Sequence, residues 1–291
     1  VQSAATSPRQ ELKMRLALYQ VDAFTNQRFR GNAAAVVPLV AGWLDDALML
    51  RIAKENNLSE TAFLLELAPG HYHIRWFSPL TEIDFCGHAT LASAFVIFML
   101  QPELPEIRFS TGAVGDLTVC RDRDWLQMSF PKRLAVPVTD VPAALIQGLG
   151  AKPLQVLRSD QAWFAIYADA ATVVALTPDM QQLKQLGPWD VVVTAPGVGF
   201  IPAGQDAENQ VTHYDFISRY FWPANGGDED PVTGSIHAGL TPYWAEQLGK
   251  TQLLAYQASE RGGVLRLEIS NDRVLVSGQA VLYLKGEIEI A

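Results

Sequence analysis

The stretch Asp84-Phe85-Cys86-Gly87-His88-Ala89-Thr90 reads as the start of a helix, and its pattern returns at Glu229-Asp230-Pro231-Val232-Thr233-Gly234-Ser235-Ile236-His237. In both places a polar, turn-forming run meets a glycine and opens into an apolar segment with helical spacing. That segment is Leu91 to Leu100 in the first case and Ala238 to Leu248 in the second. Two helix N-termini are implied. Such ends carry unpaired backbone N–H groups and about half a positive charge each, so a carboxylate between them is held without a metal. Either motif alone is also what an ordinary capped helix start looks like. The pair points to a small acidic ligand in a cleft between two similar halves.

Outward from these motifs, the chain alternates short strands with few helices. Leu16 to Phe24 and Ala33 to Leu39 are apolar and partly β-branched, which predicts two strands around a turn at Asn26 to Asn32. Asp45 and Asp46 precede an amphipathic run ending at Asn56 and Asn57. Strands are predicted at residues 62–67, 72–77, 106–110, 115–119 and 125–130, with the long apolar helix from His88 to Leu100 among them. A helix apolar on nearly every side must be buried, and a sheet wrapped around it does so. The Pro-rich segment Pro131 to Pro142 reads as a linker.

Beyond it the grammar repeats: a capped helix from Asp140 to Leu149, strands at 153–157, 163–168 and 191–195, and a helical piece at 178–186. After a strand at 214–221 come the acidic glycine motif, the second central helix, and strands at 252–258, 264–269, 273–276 and 280–288. The expected class is α+β, with two pseudo-symmetric halves, each a sheet or barrel around a central helix. The expected halves are residues 14–130 and 131–291; the pattern leaves open whether the last strand belongs to the first half.

The 291 residues, 49% apolar, suffice for two buried cores. A net charge of -9 without any Lys/Arg-rich run argues against a nucleic-acid or anionic-membrane partner. The longest apolar stretch, Ala89 to Leu100, falls short of the roughly 20 residues that cross a bilayer. The polar segment Val1 to Lys13 lacks the apolar middle of a signal peptide and reads as a disordered leader or tag before a start at Met14. The cytoplasm is the expected compartment. Two cysteines, Cys86 and Cys120, allow neither a disulfide framework nor a cysteine-rich zinc site, and the histidines show no metal-pair spacing. No metal site is expected.

Glu60 stands between a helix end and a strand start. It is either an exposed loop acid or a carboxylate aimed into a cleft, where partial burial moves carboxyl groups toward the range useful for proton transfer. His88, at the start of the first central helix, is expected to stay neutral near the positive helix end, as a cap or a proton relay. Asp230 before Pro231 is a turn residue or a second acid–base group. Together the three would make a proton-transfer set. Ser59, Thr233 and Ser235 offer hydroxyls, and Gly87 and Gly234 let backbone approach a ligand. Cys86 would be a nucleophile favoured by the helix end. Its counterpart by alignment of Gly87 with Gly234 is Thr233, which counts against a two-thiol racemase and favours a packing role.

Six blocks carry a further likeness: Val21-Asp22-Ala23-Phe24-Thr25, Gly31-Asn32-Ala33, Asn57-Leu58-Ser59-Glu60-Thr61, Phe85-Cys86-Gly87-His88-Ala89-Thr90, Arg219-Tyr220-Phe221 and Asp230-Pro231-Val232-Thr233-Gly234-Ser235. In this order they resemble the signature of the PhzF-like phenazine-biosynthesis proteins. The resemblance implies the diaminopimelate-epimerase-like fold, a homodimer, and a cofactor-free active site. The family's characterised isomerase moves a proton around trans-2,3-dihydro-3-hydroxyanthranilate with a glutamate that matches Glu60. Its histidine and aspartate partners match His88 and Asp230, and its substrate-holding positions match Ser59, Gly87, Gly234 and Ser235. The chain departs from that enzyme at Ala89, where it has proline, and in its Asp-Pro-Val-Thr form, which many relatives without an assigned reaction share. Three readings follow: a proton-moving isomerase of a small cyclic or unsaturated carboxylic acid, an epimerase or racemase of an amino or hydroxy acid, and a non-catalytic binder of a small ligand.

Overall fold

The computed structural model describes residues 14–202 and 213–290, so the expected leader Val1 to Lys13 lies outside the described residues. The first part of the chain forms β1 (Met14–Ala23), β2 (Asn32–Leu39), α1 (Asp46–Asn56), β3 (Glu60–Ala68), β4 (His71–Phe77), β5 (Glu82–Ile83), α2 (Gly87–Leu100), β6 (Glu106–Ser110), β7 (Leu117–Asp122) and β8 (Trp125–Pro131). After β9 (Val136–Pro137) and α3 (Ala143–Leu149) come β10 (Gln155–Arg158), β11 (Ala162–Ile166), α4 (Ala170–Ala175), α5 (Met180–Leu183) and β12 (Asp190–Pro196). The chain then runs through β13 (Phe216–Trp222), β14 (Gly227–Asp230), α6 (His237–Leu248), β15 (Gln252–Gln257), β16 (Gly263–Ser270), β17 (Arg273–Gly278) and β18 (Ala280–Ile290).

The pairing of these strands repeats. In the first part β1 and β2 are antiparallel, β2 and β3 parallel, β3 and β4 antiparallel, β4 and β6 parallel, and β6, β7 and β8 antiparallel. The same series runs through β10, β11, β12, β13, β15, β16 and β17. Short β5 lies on β4 as β14 lies on β13. The halves join where β8 pairs with β17. The last strand does return to the first half, pairing β18 with β1 from Met14↔Ile290 to Ala23↔Ala280. β9 fills the equivalent edge of the second half beside β10. We propose a division near residues 130 and 131, at the end of β8, with β18 added to the first half.

Each sheet wraps its helix as apolarity demands. Leu91, Val96, Ile97 and Phe98 of α2 are buried against β1, β2, β3, β8 and β18. Each such side chain contributes about 1.5–3 kcal/mol on burial. α6 packs on β15, β16 and β17, and both helices share one continuous core. A second core lies beneath α3, α4 and α5, and a third beneath α1. Among the described residues no helix is long and apolar enough to cross a membrane.

Four expectations are corrected. α3 begins at Ala143 behind Pro142, not under an Asp140 cap, and no side chain caps it. α4 was not expected, because its Thr-Val-Val run reads as strand; Asp169 accepts the Thr172 N–H and starts the helix. The linker contains β9, and the acidic motif contains β14, each too short to show an alternating pattern.

Candidate active site

The two helix starts meet. A Cβ placed on Gly87 would lie 3.9 Å from the Gly234 Cα, and one placed on Gly234 would lie 3.1 Å from the Phe24 ring. A methyl at Gly234 would crowd the Phe24 ring, whereas one at Gly87 would fit in ordinary contact and fill the space between the two first turns. Neither first turn holds an acidic residue or a capping side chain, so their N–H groups keep their positive character. In α6 the turn reaches back to Gly234, whose carbonyl accepts the His237 N–H at 3.2 Å.

Around this junction lies a cleft of about 160 Å³. That is below the roughly 300–1,000 Å³ of drug-sized sites and suits a small molecule. Glu60, Cys86, Gly87 and His88 line it from the first half; Asp230, Thr233, Gly234 and Ser235 line it from the second. Glu60 is the first residue of β3, directly after the α1 helix, which ends on Asn57 in the left-handed conformation (φ 49°). That turn swings the chain so that Glu60 enters the sheet facing inward. Its Oε2 lies 3.0 Å from His88 Nε2, both side chains being 7% exposed. The oxygen is buried and has no aligned hydrogen-bond partner, so its contact with His88 is electrostatic.

His88 departs from the neutral state expected at a positive helix end. Burial does oppose its charge, but Cys86 and the Glu60 carboxylate outweigh it and hold the imidazole well above its ordinary range. Burial pushes the Cys86 thiol up to about 11, so near neutrality it is a thiol and Glu60 is the charged partner that matters. Cys86 Sγ lies 3.4 Å from His88 Nδ1, consistent with a small buried neighbour. Glu60, Cys86 and His88 present donor atoms within 4.8 Å of one another, the one set among the described residues that can hold a metal ion.

Asp230 is partly buried at the end of β14. Burial raises its carboxyl to about 6, against the lowering effect of His88, Thr233 and Asn32. Thr233 Oγ1 donates to its Oδ2 at 2.5 Å and Asn32 Nδ2 to its Oδ1 at 2.8 Å. The Thr233 hydroxyl is therefore spent on Asp230. Gln257, fully buried in β15, clamps this turn by donating to the Asp230 carbonyl at 2.8 Å and accepting the Thr233 N–H at 2.9 Å. Ser59 does not line the cleft; its hydroxyl donates to Asn32 Oδ1 at 3.5 Å. His237 is kept neutral, pushed down to about 4 by burial, with Nδ1 on the Thr233 carbonyl at 2.8 Å.

Several residues at the site went unassigned in the sequence. Asn32 Nδ2 donates to Asp230 Oδ1 and to the Val232 carbonyl (3.0 Å), and lies 3.1 Å from His88 Nδ1. Asp190, Tyr220 and Trp222 complete the cleft wall. Burial raises the Asp190 carboxyl, against hydrogen bonds from Tyr220 and Asn225. Arg219 is structural: its guanidinium pairs with both Glu229 oxygens at 2.8 and 2.9 Å and holds the carbonyls of Val173 and Leu176 at the C-terminal end of α4. The sequence signal for Asn32 and Tyr220 was their place in the quoted blocks; Asp190 stood outside them.

Two sheet-wrapped helices meeting nose to nose over a cleft define the diaminopimelate-epimerase-like class. A hydroxyproline epimerase of Agrobacterium vitis shares the fold, with a TM-score of 0.52 at 12% identity over 95% of this chain and 93% of that one. A PhzF family protein of Enterococcus faecalis superposes with a TM-score of 0.85 at 40% identity, covering 94% of this chain and 99% of that one. A family model described as phenazine biosynthesis-like protein matches residues 21–286. An uncharacterized isomerase of Pseudomonas aeruginosa is 44% identical across 95% of this chain and its own full length. The human phenazine biosynthesis-like domain-containing protein is 34% identical across 94% of this chain and 99% of its own. The chain belongs to the phenazine biosynthesis-like family and is an isomerase.

Proposed function

We propose that the protein is a cofactor-independent isomerase that moves a proton by acid–base catalysis on a small cyclic or unsaturated carboxylic acid. The observation that carries this reading is the buried Glu60–His88 pair, 3.0 Å apart, in a cleft that also contains two uncapped helix starts. The substrate carboxylate lies at the junction of Gly87 and Gly234, where N–H groups and helix dipoles favour an anion. The Ser235 hydroxyl at the same helix start is a further donor to it.

Glu60 takes a proton from a carbon next to the unsaturation, and the electron pair left behind spreads over the conjugated system. Glu60 then returns the proton to another carbon of that system, so substrate and product have the same atoms and no redox partner is needed. Protonated His88 stabilises the carboxylate form of Glu60 and the negative charge that develops beside it. Asp230, with a carboxyl at about 6, holds or relays a proton near neutrality. The reaction resembles that of trans-2,3-dihydro-3-hydroxyanthranilate isomerase, and that compound is the first substrate to try. A cytoplasmic homodimer completes the reading.

The test is deuterium incorporation from D2O into that compound and a panel of small unsaturated and amino carboxylates, followed by mass spectrometry. Wild type should exchange at least one of them, and Glu60→Gln should bind but not exchange. Exchange that survives in Glu60→Gln removes Glu60 from the mechanism. Inversion at a single centre without bond migration would replace the reading by an epimerase, and binding without exchange by a ligand-binding protein.

A further inference from the structure

The strand repeat assigns every cleft residue a counterpart. Ala34 lies opposite Glu60 in the parallel pair of β2 and β3, and Ala162 lies opposite Asp190 in the parallel pair of β11 and β12. Thr61 faces Phe77 as Val191 faces Phe221. Asp190 thus opens β12 as Glu60 opens β3, and both line the one cleft. The pairs Trp76↔Ile83 and Tyr220↔Asp230 carry the register on, so counting from Gly87 and Gly234 makes Ser235 the counterpart of His88. The two carboxylates have different company. Glu60 has an imidazole; Asp190 has a chain of neutral groups.

That chain is spent on itself. Tyr220 OH donates to Asp190 Oδ2 at 2.5 Å, and Asn225 Nδ2 donates to Asp190 Oδ1 at 2.7 Å and to the Pro188 carbonyl at 2.9 Å. Gln161 Nε2 donates to Tyr220 OH at 3.1 Å and to Ser235 Oγ at 3.0 Å. Every amide and phenol hydrogen of the network therefore has an acceptor within it or beside it. What remains toward the cleft is acceptor capacity, on Asp190 and on the Tyr220 oxygen. A carboxylate held by two donors is well oriented to receive a further donor. No lysine or arginine lines the cleft among the described residues to take that place.

We infer that Asp190 is a specificity-determining residue: oriented by Tyr220 and Asn225, it binds a hydrogen-bond-donating substituent, an amine or hydroxyl, on the substrate. The inference rests on the proposed function for the place of the substrate carboxylate, between the helix starts. Two anchors, the helix starts and Asp190, fix which carbon of the substrate faces Glu60. An acid without the donor group leaves the cleft-facing acceptor capacity of Asp190 unmet while displacing water from it, and the site discriminates against it.

Titration calorimetry tests this without turnover, using 3-hydroxyanthranilate, anthranilate, 3-hydroxybenzoate and benzoate as probes. Wild type should bind at least one substituted acid about tenfold or more tighter than benzoate. Asp190→Asn should lose about tenfold on that acid while benzoate stays within about twofold. Tyr220→Phe, which keeps the carboxylate but loosens it, should show a smaller loss with the same selectivity, and it serves if Asp190→Asn does not fold. Equal losses on all four acids, unchanged affinities in both variants, or no preference over benzoate by wild type would each overturn the inference. So would failure of wild type to bind any probe at about 10 mM. Exchange that persists in Glu60→Gln would sink the proposed chemistry while leaving the binding preference intact, so the two failures are separable.

Discussion

Replacing Asn32 by alanine removes the hub of the cleft in one step. Its Nδ2 lies 2.8 Å from Asp230 Oδ1 and 3.0 Å from the Val232 carbonyl, and the residue is fully buried. A hydrogen bond to a charged group is worth about 1.5–3 kcal/mol and one to a neutral carbonyl about 0.5–1.5 kcal/mol. With Asp230 ionised the loss is about 3 kcal/mol; with Asp230 protonated both bonds are neutral and the loss is about 2 kcal/mol. The folded carboxyl titrates at about 6 against an ordinary 3.8, so the folded state holds this proton more tightly than the unfolded state. Its contribution favours folding at low pH and is lost as pH rises between about 4 and 6. Asn32 is one of the groups that lower this carboxyl, so its removal raises the carboxyl further and enlarges the penalty on the alkaline side. Urea unfolding of wild type and Asn32→Ala at about pH 4.5 and about pH 7.5 reads the difference directly. The variant should lose about 1 kcal/mol more at the higher pH. Equal losses at both, or a loss below about 1 kcal/mol at the higher, would refute the reasoning.

The other expectations follow from the same geometry. By NMR titration His88 should protonate well above the ordinary 6.5, and Glu60→Gln should bring it down, because burial is then opposed by one partner fewer. An unchanged His88 would detach it from Glu60. Gly87→Ala should fold normally, since its new methyl meets nothing nearer than 3.8 Å, and helix propensity adds up to about 1 kcal/mol. The methyl nevertheless intrudes between the helix starts, so affinity for 3-hydroxyanthranilate should fall about tenfold or more. Retained affinity would move the carboxylate elsewhere.

The parts of this architecture legible in the sequence are those written locally. Gly87 and Gly234 stand where polar turns become apolar helices, and that pattern alone gave both helix starts within a few residues. The two-residue strands β5 and β9 have no room for a period, and the Thr-Val-Val of α4 favours strand until Asp169 caps it. The site was legible in its acids and opaque in its connections. Asn32 meets Asp230 across 198 residues, through a register that no local spacing encodes. The charge of His88 was misjudged for the same reason, since the helix start is local whereas the Glu60 carboxylate arrives from another strand. Asp190 shows its meaning only when the two parallel pairs are laid over each other.

The return of β18 to β1 makes the two halves unequal in the order they can be completed. The second half finds its edge strand nearby, because Val136 pairs with Arg158, whereas Met14 waits for Ile290. Synthesis therefore releases β1 long before its partner exists, with one side of the strand unpaired. Contacts so distant in sequence close slowly, and an open edge is a template for other chains. The half that is made first is finished last, and a nascent chain halted before residue 280 exposes an adhesive strand.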